Sequence, residues 1–173
     1  MKKILIAAVI YLLAAVIAPS ARAAVSPEDA RAAYARLQSL AGEWRSKSTK
    51  GWTESLSFTL VGKGSALLEL SHFADTPQEA MATVFHLDGG RLLLTHYCEA
   101  KNQPRLVATE VRDGGRVIIF SFLDGTGLDE HPGHMHAVRL RIVDADHVTS
   151  QWSFFRDGKE QWMEEIVSER VSR

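Results

Sequence analysis

Cysteine is nearly absent from this sequence: Cys98 is the only one among 173 residues. An internal disulfide is therefore excluded, and the fold must stand on its core even in an oxidising compartment. No Cys-x-x-Cys-His run occurs, which excludes a covalently attached haem. Clusters of basic residues are missing as well. Lys and Arg total 20 against 21 Asp and Glu, a net charge of −1. Phosphate contacts dominate nucleic-acid affinity and need such clusters, so no nucleic-acid partner is expected. No internal repeat or low-complexity segment is present.

Long hydrophobic runs are limited to one, Ile4 to Ile17, which is fourteen residues without a charge. At helical rise it reaches only about 21 Å, short of a ~30 Å hydrocarbon core. Lys2 and Lys3 precede it, Pro19 and Ser20 break it, and Ala21-Arg22-Ala23 has the small-x-small form that a signal peptidase reads. Residues 1–23 are thus expected to be a cleaved signal peptide, sending the protein to the periplasm or outside the cell. With no cysteine at the junction, a bacterial lipoprotein anchor is excluded, and no stable membrane anchor is expected after cleavage. Removing Lys2, Lys3 and Arg22 takes the net charge from −1 to −4.

What remains is one domain's length, and it is rich in core material, with four Trp, seven Phe and 46% apolar residues in the whole chain. A helix is expected within 24–41. Ser26 is a good N-cap, Pro27 sits where its missing N–H costs nothing, and Glu28 and Asp29 suit the positive end of the dipole. Ala30, Ala33, Tyr34, Leu37 and Leu40 recur at helical spacing until Gly42. The period then changes to 2. Gly62-Lys63-Gly64, Asp88-Gly89, Asp113-Gly114, Asp144-Ala145-Asp146 and Asp157-Gly158 mark turns between segments rich in β-branched and aromatic residues. The predicted strands are 42–49, 52–61, 65–73, 80–87, 91–99, 104–112, 115–123, 134–143, 147–156 and 159–170. Ten strands with short connections imply an all-β fold over 42–173: a closed antiparallel up-and-down barrel with one N-terminal helix. Eight strands are just wide enough for side chains to fill, so ten tend to leave a cavity.

Alternation sorts the faces of these strands. His134 and His136 share parity with Val138, Leu140 and Ile142. His96 and Cys98 follow Leu92 and Leu94, and His72 follows Leu68 and Leu70, opposite Glu69. Arg105 precedes Val107, Thr109 and Val111, and Trp152 lies with Val148 and Phe154. The expected interior is apolar with several imidazoles and one guanidinium, which points to a wet cavity or to a ligand that uses them. The competing reading places these strand-end residues at a solvated rim. His72, His96, Cys98, Asn102, Gln103, Arg105, His134, His136 and Trp152 form the candidate ligand site. In it, Asn102, Gln103 and Arg105 would meet an anionic or hydrogen-bonding head group.

His131, His134 and His136 are candidate zinc ligands, since three imidazoles can leave an open coordination position. A polar loop entering a rim is the plainer alternative. The His96–Cys98 pair has thiol–imidazole spacing, but no oxyanion donor or orienting group accompanies it, and a packed cysteine is the ordinary case. No catalytic residue is assigned. Non-covalent haem is a further alternative, with an inward histidine as axial ligand.

Gly42-Glu43-Trp44, following a helix, resembles the Gly-x-Trp opening of lipocalin-like (calycin) barrels, in which the Trp plugs the closed end. His86-Leu87-Asp88-Gly89, Leu94-Thr95-His96-Tyr97-Cys98, Asn102-Gln103-Pro104-Arg105 and Gly133-His134-Met135-His136 resemble uncharacterised bacterial lipocalin-like secreted proteins of domain-of-unknown-function type. The similarity covers nearly the whole mature chain and implies a calycin-type barrel without an established substrate. Nitrobindin-like haem barrels share the ten-stranded plan. Arg45, Ser46 and Lys47 depart from their Gly-x-Trp-x-Gly-x-Gly form, which leaves haem a minority expectation. Arg105 resembles, by analogy, the carboxylate-gripping arginine of fatty-acid-binding barrels. The expected activity is therefore binding of a small, partly apolar ligand with a polar or anionic head. The alternatives are a zinc- or haem-binding barrel with catalytic activity, and a partner-binding barrel with a filled interior.

Overall fold

The structure, a computed structural model, describes residues 24–172; the expected signal peptide lies outside them. Helix α1 (Pro27–Gln38) starts where its capping residues place it. The Ser26 hydroxyl accepts from the Asp29 backbone N–H at 3.0 Å, satisfying one of the orphan donors of the first turn. The helix buries Ala30, Ala33, Tyr34 and Leu37, its apolar stripe.

Ten strands follow: β1 (Gly42–Ser48), β2 (Thr53–Val61), β3 (Ala66–Phe73), β4 (Met81–Asp88), β5 (Arg91–Tyr97), β6 (Gln103–Arg112), β7 (Val117–Thr126), β8 (His134–Ile142), β9 (His147–Arg156) and β10 (Lys159–Ser172). Each pairs antiparallel with its sequence neighbours, and β1 pairs with β10 to close the barrel. This is the closed up-and-down barrel that the change of period implies. Closure leaves no edge strand to recruit another chain. The turn between β9 and β10 shows why Asp-Gly stands there: Asp157 has φ 53° and Gly158 φ 74°, the pair of positive values that a two-residue hairpin turn needs.

The helix packs across the barrel end formed by the β4–β5 and β6–β7 turns. Gly115 has φ 86°, and a Cβ there would lie 2.8 Å from the backbone of Ala33, so glycine lets the turn touch the helix. Trp44 is buried beneath the helix C-terminus and donates from Nε1 to the Leu40 carbonyl at 2.8 Å. The Arg170 guanidinium lies 4.2 Å from the Trp44 ring centroid and donates to the carbonyls of Ala41 (2.8 Å) and Ser39 (3.0 Å). One cation thus satisfies carbonyls just past the helix C-terminus and covers the plug. The helix end of the barrel is thereby shut.

Candidate functional site

The interior is packed around Leu67, Phe85, Leu92, Leu94, Leu106, Ile118, Phe120 and Val138, all essentially inaccessible. Beyond this core, toward the end away from the helix, a cavity of about 90 Å³ remains. That is room for roughly six waters at ~10–15 Å³ each, and less than the ~300–1,000 Å³ of drug-sized clefts. Trp52, Phe73, Met81, Met135 and Met163 stand toward its outer end, while Phe58, Phe85, Val138, Leu140, Val148 and Trp152 form deeper wall.

Two polar rows cross this apolar surface, each set by strand register. In the first, Glu69 is paired with Phe58 on one side and Thr83 on the other, and Thr83 is paired with His96. Directly opposed residues place their side chains ~5 Å apart on one face, so Glu69, Thr83 and His96 form a continuous polar strip. The Thr83 hydroxyl and His96 Nδ1 are hydrogen-bonded at 3.0 Å. His96 Nε2 is buried with no hydrogen-bond partner, on a residue that lines the cavity and packs at 4.9 Å against Trp152. In the second row Val148, Ser168, Ser46, Glu54 and Phe73 are paired in succession. The Ser46 and Ser168 hydroxyls lie 2.8 Å apart, and Ser46 also bonds the Glu54 carboxyl.

Enclosure governs the chemistry of these groups. Burial, with the nearby Glu54 charge adding to it, pushes the Glu69 carboxyl up to about 8. Burial likewise raises Glu54 to about 7, against the Ser46 hydrogen bond. Burial holds the His96 imidazole down to about 4, so it is neutral across the physiological range. Glu164, the third carboxylate on the wall, differs. Burial pushes it up, but hydrogen bonds from its own backbone, Trp52 and Lys50, with the Lys50 charge, outweigh this and hold it below its usual range. Trp52 Nε1 donates to it at 2.5 Å and Lys50 Nζ approaches to 3.2 Å. No Lys or Arg lines the cavity. A low-dielectric pocket with neutralised carboxyls and a free imidazole nitrogen is ready to exchange hydrogen bonds and protons with an occupant.

Of the residues expected to form the site, His96 and Trp152 line the lumen. The others are placed differently. His72 is not inside: β3 turns Leu67, Glu69, Ser71 and Phe73 toward the core and cavity, and the His72 ring bonds the Pro77 carbonyl instead. Apolar residues occupy both parities of β3, and the alternation followed Leu68 and Leu70, which are the outer set. Arg105 is also outside, donating from Nε and Nη2 to the two carboxylate oxygens of Asp124. Leu106 and Ala108 are the buried residues there, and a register shift between Ala108 and Glu110 then brings Val111 against the core, inverting parity midway.

A second bulge, between Met135 and Ala137, changes the outcome for β8. Val138, Leu140 and Ile142 are buried as expected, but Met135 reaches the cavity, while His134 and His136 do not. They stack with Phe122 and Phe155 at ring distances of 4.5–5.5 Å, and His134 Nε2 lies 3.1 Å from His136 Nδ1. His131 does not join them: among the described residues no three His, Cys, Asp or Glu side chains converge on a metal position. Cys98 falls just past β5, in a turn closed by the Lys101 N–H on its carbonyl. Burial raises its thiol, which disfavours the thiolate that nucleophilic chemistry needs. Asn102 is fully buried and donates to the carbonyls of His131 (2.7 Å) and Gly133 (2.6 Å), and Gln103 accepts from Thr126 at 2.6 Å. Asn102 ties the β5–β6 turn to the β7–β8 connection and Gln103 joins the paired ends of β6 and β7; neither lines the cavity. A porphyrin is far larger than the space present.

The residues that sequence reasoning missed are Glu54, Glu69, Thr83 and Glu164. Glu54 carried a signal, since it shares parity with Leu56 and Phe58 on β2. Glu69 carried a misleading one, flanked on both sides by leucine.

The sequence matches no protein-family model and no curated protein. Among solved structures, the fold is similar to that of a protein of unknown function from the DUF3598 family of Nostoc punctiforme. The TM-score is 0.51 at 15% identity, over 78% of this chain and 49% of that one; this chain therefore spans about half the length of that protein. A second structure, EF1p2_mFAP2b bound to DFHBI, aligns at TM-score 0.36 and 9% identity over 80% of this chain and 98% of that one. The first likeness is one of fold alone, and the second is too distant to carry an argument.

Proposed function

We propose that this protein is a lipocalin-like binding barrel that takes a small, partly apolar molecule into its lumen and fixes the polar end of that molecule with the buried carboxyls and His96. The observation that carries this reading is His96 Nε2, a buried imidazole nitrogen without a partner on the wall of an apolar cavity. Leaving such a group unsatisfied costs roughly 1–3 kcal/mol, and an occupant offering a complementary atom recovers it. The plug of Trp44 and Arg170 seals one end, so exchange runs through the methionine-bearing end, where unbranched, polarizable side chains adapt to different shapes. An anionic head, expected when Arg105 was read as internal, no longer suits a wall without Lys or Arg. In this reading residues 1–23 export the chain, and the ligand is met in the periplasm or outside the cell.

Native mass spectrometry of protein purified from its own producing cells tests this. The expected result is a population carrying a small organic adduct, lost when Ser71→Phe fills the lumen without altering the fold. A barrel that carries no adduct, and whose Ser71→Phe form is simply more stable, is a filled structural barrel and contradicts the proposal.

A further inference from the structure

We propose that the ligand is a small organic cation, a protonated amine on an apolar body, seated with its ammonium between the Glu54 and Glu69 carboxyls and its body against the aromatic wall. This deepens the lumen-binding reading and rests on it.

The charge census of the cavity decides the class. Three carboxyl side chains line it, from β2, β3 and β10, and the only nitrogenous base on its wall is His96 of β5, which burial keeps neutral. Of the three acids, Glu164 already has its cation in Lys50 and its donor in Trp52. Glu54 has the Ser46 hydroxyl, and Glu69 faces the cavity across from Thr83. An anionic ligand would meet only acids here. A neutral one would leave two carboxyls to be kept protonated. A cation fits both the sign and the geometry, because an ammonium carries three donors and its attraction to carboxylate is strongest where water is excluded. Phe58, Phe73 and Trp152 provide ring faces, the usual companions of a carboxylate in cation recognition.

His96 supplies an independent pointer to an occupant at this spot. Its Nδ1 is committed to Thr83, whose hydroxyl can donate or accept, so Nε2 is left free to serve as acceptor for an ammonium N–H in the matching tautomer. The polar strip Glu69–Thr83–His96 therefore presents an acceptor at each end.

Proton balance gives the inference its signature. The empty site holds Glu69 largely and Glu54 about half protonated at neutral pH, their ordinary values displaced to about 8 and about 7. Binding R–NH₃⁺ favours the carboxylate, so the carboxyl proton leaves to solvent while the amine keeps its own. Uptake is then coupled to proton release below pH 8, and the coupling fades above it, where the acids are ionised beforehand. Glu164 stays ionised and His96 neutral throughout this window, so neither contributes protons.

The test is calorimetric titration of the full-length mature protein with three probes of one shape, benzylamine, benzyl alcohol and benzoate, in buffers of different ionisation enthalpy. At pH 7 benzylamine is expected to bind at least about tenfold more tightly than the other two, with proton release that disappears by pH 9. Glu69→Gln and Glu54→Gln should each weaken benzylamine about tenfold or more and diminish its proton release, with near-ultraviolet circular dichroism confirming the fold of each. Benzyl alcohol or benzoate binding as well as benzylamine, or benzylamine binding without proton release, overturns the cationic class alone and leaves lumen binding standing. Failure of all three probes to bind also overturns it, and the adduct measurement above then judges the lumen reading separately.

Discussion

A carboxyl group inside an apolar barrel is a liability unless something is done with it. Glu69 and Glu54 are raised by enclosure, and His96 is lowered by it, so each adopts its neutral form and each leaves a mark on stability. Glu69 has a folded value near 8 against about 4.5 in the unfolded chain. The stability tied to its neutral form is complete below 4.5 and is lost as pH rises through 8. His96 acts in the opposite direction, gaining stability between about 4 and 6.5, so the two cancel over much of the acid range. Between pH 6.5 and 8 the carboxyls act together with His147, whose imidazole the Asp144 hydrogen bond raises, and the melting temperature of the protein should fall. Glu69→Gln removes the larger share of that slope. Between pH 6.5 and 8 the parent should lose ~1.5 kcal/mol more than this variant, so that their melting temperatures diverge by about 3–6 °C in a domain of this size. Scanning calorimetry at the two pH values checks this; parallel slopes would place Glu69 in contact with bulk water.

At the scale of elements, the number, order and limits of the strands were legible because turn chemistry punctuates the chain. Asp157-Gly158 and Asp113-Gly114 end strands for a backbone reason that survives any tertiary context. The inward faces were legible only where one parity is apolar. On β5, Leu92 and Leu94 led to His96, and the histidine is where they point. On β3, leucines at 67, 68 and 70 left the choice to a majority that pointed outward, hiding Glu69. On β6 and β8, a bulge adds one residue and reverses the assignment beyond it, which no period-2 reading of a single sequence can register. The site was thus half visible: its histidine and tryptophan could be read and Glu54 shares parity with Leu56 and Phe58, but Glu69 was hidden. The glycine after Asp113-Gly114 belongs to the same scale. Gly115→Ala combines a positive φ with a Cβ pressed against the Ala33 backbone. Denaturant unfolding should show a loss of roughly 2–4 kcal/mol, with strand content retained while the helix loosens from the barrel end. A neutral substitution would mean that the helix does not dock as described.

The whole molecule sets a closed wall, a plugged end and a small polar-lined void in series. Closure gives the wall its rigidity, and Trp44 with Arg170 makes the plug by covering the helix C-terminus from inside the barrel end. The core beneath the helix is a continuous cluster of buried side chains, so the void at the other end is not a by-product of a loose fold. If the interior were only structural, apolar residues at 54 and 69 would serve better, since a well-packed hydrophobic group commonly replaces a buried ionisable one at no loss of stability. In the proposed reading, two acids and an unsatisfied imidazole at one void mark a place where stability has been given up for recognition. The most direct measurement of that claim is a carbon-13 NMR titration of the glutamate side-chain carboxyls in the ligand-free protein. Midpoints near 7 for Glu54 and near 8 for Glu69 are the expected result. Midpoints for both at the ordinary value of about 4.5 would show carboxyls bathed in bulk water, and the enclosed binding lumen would be contradicted.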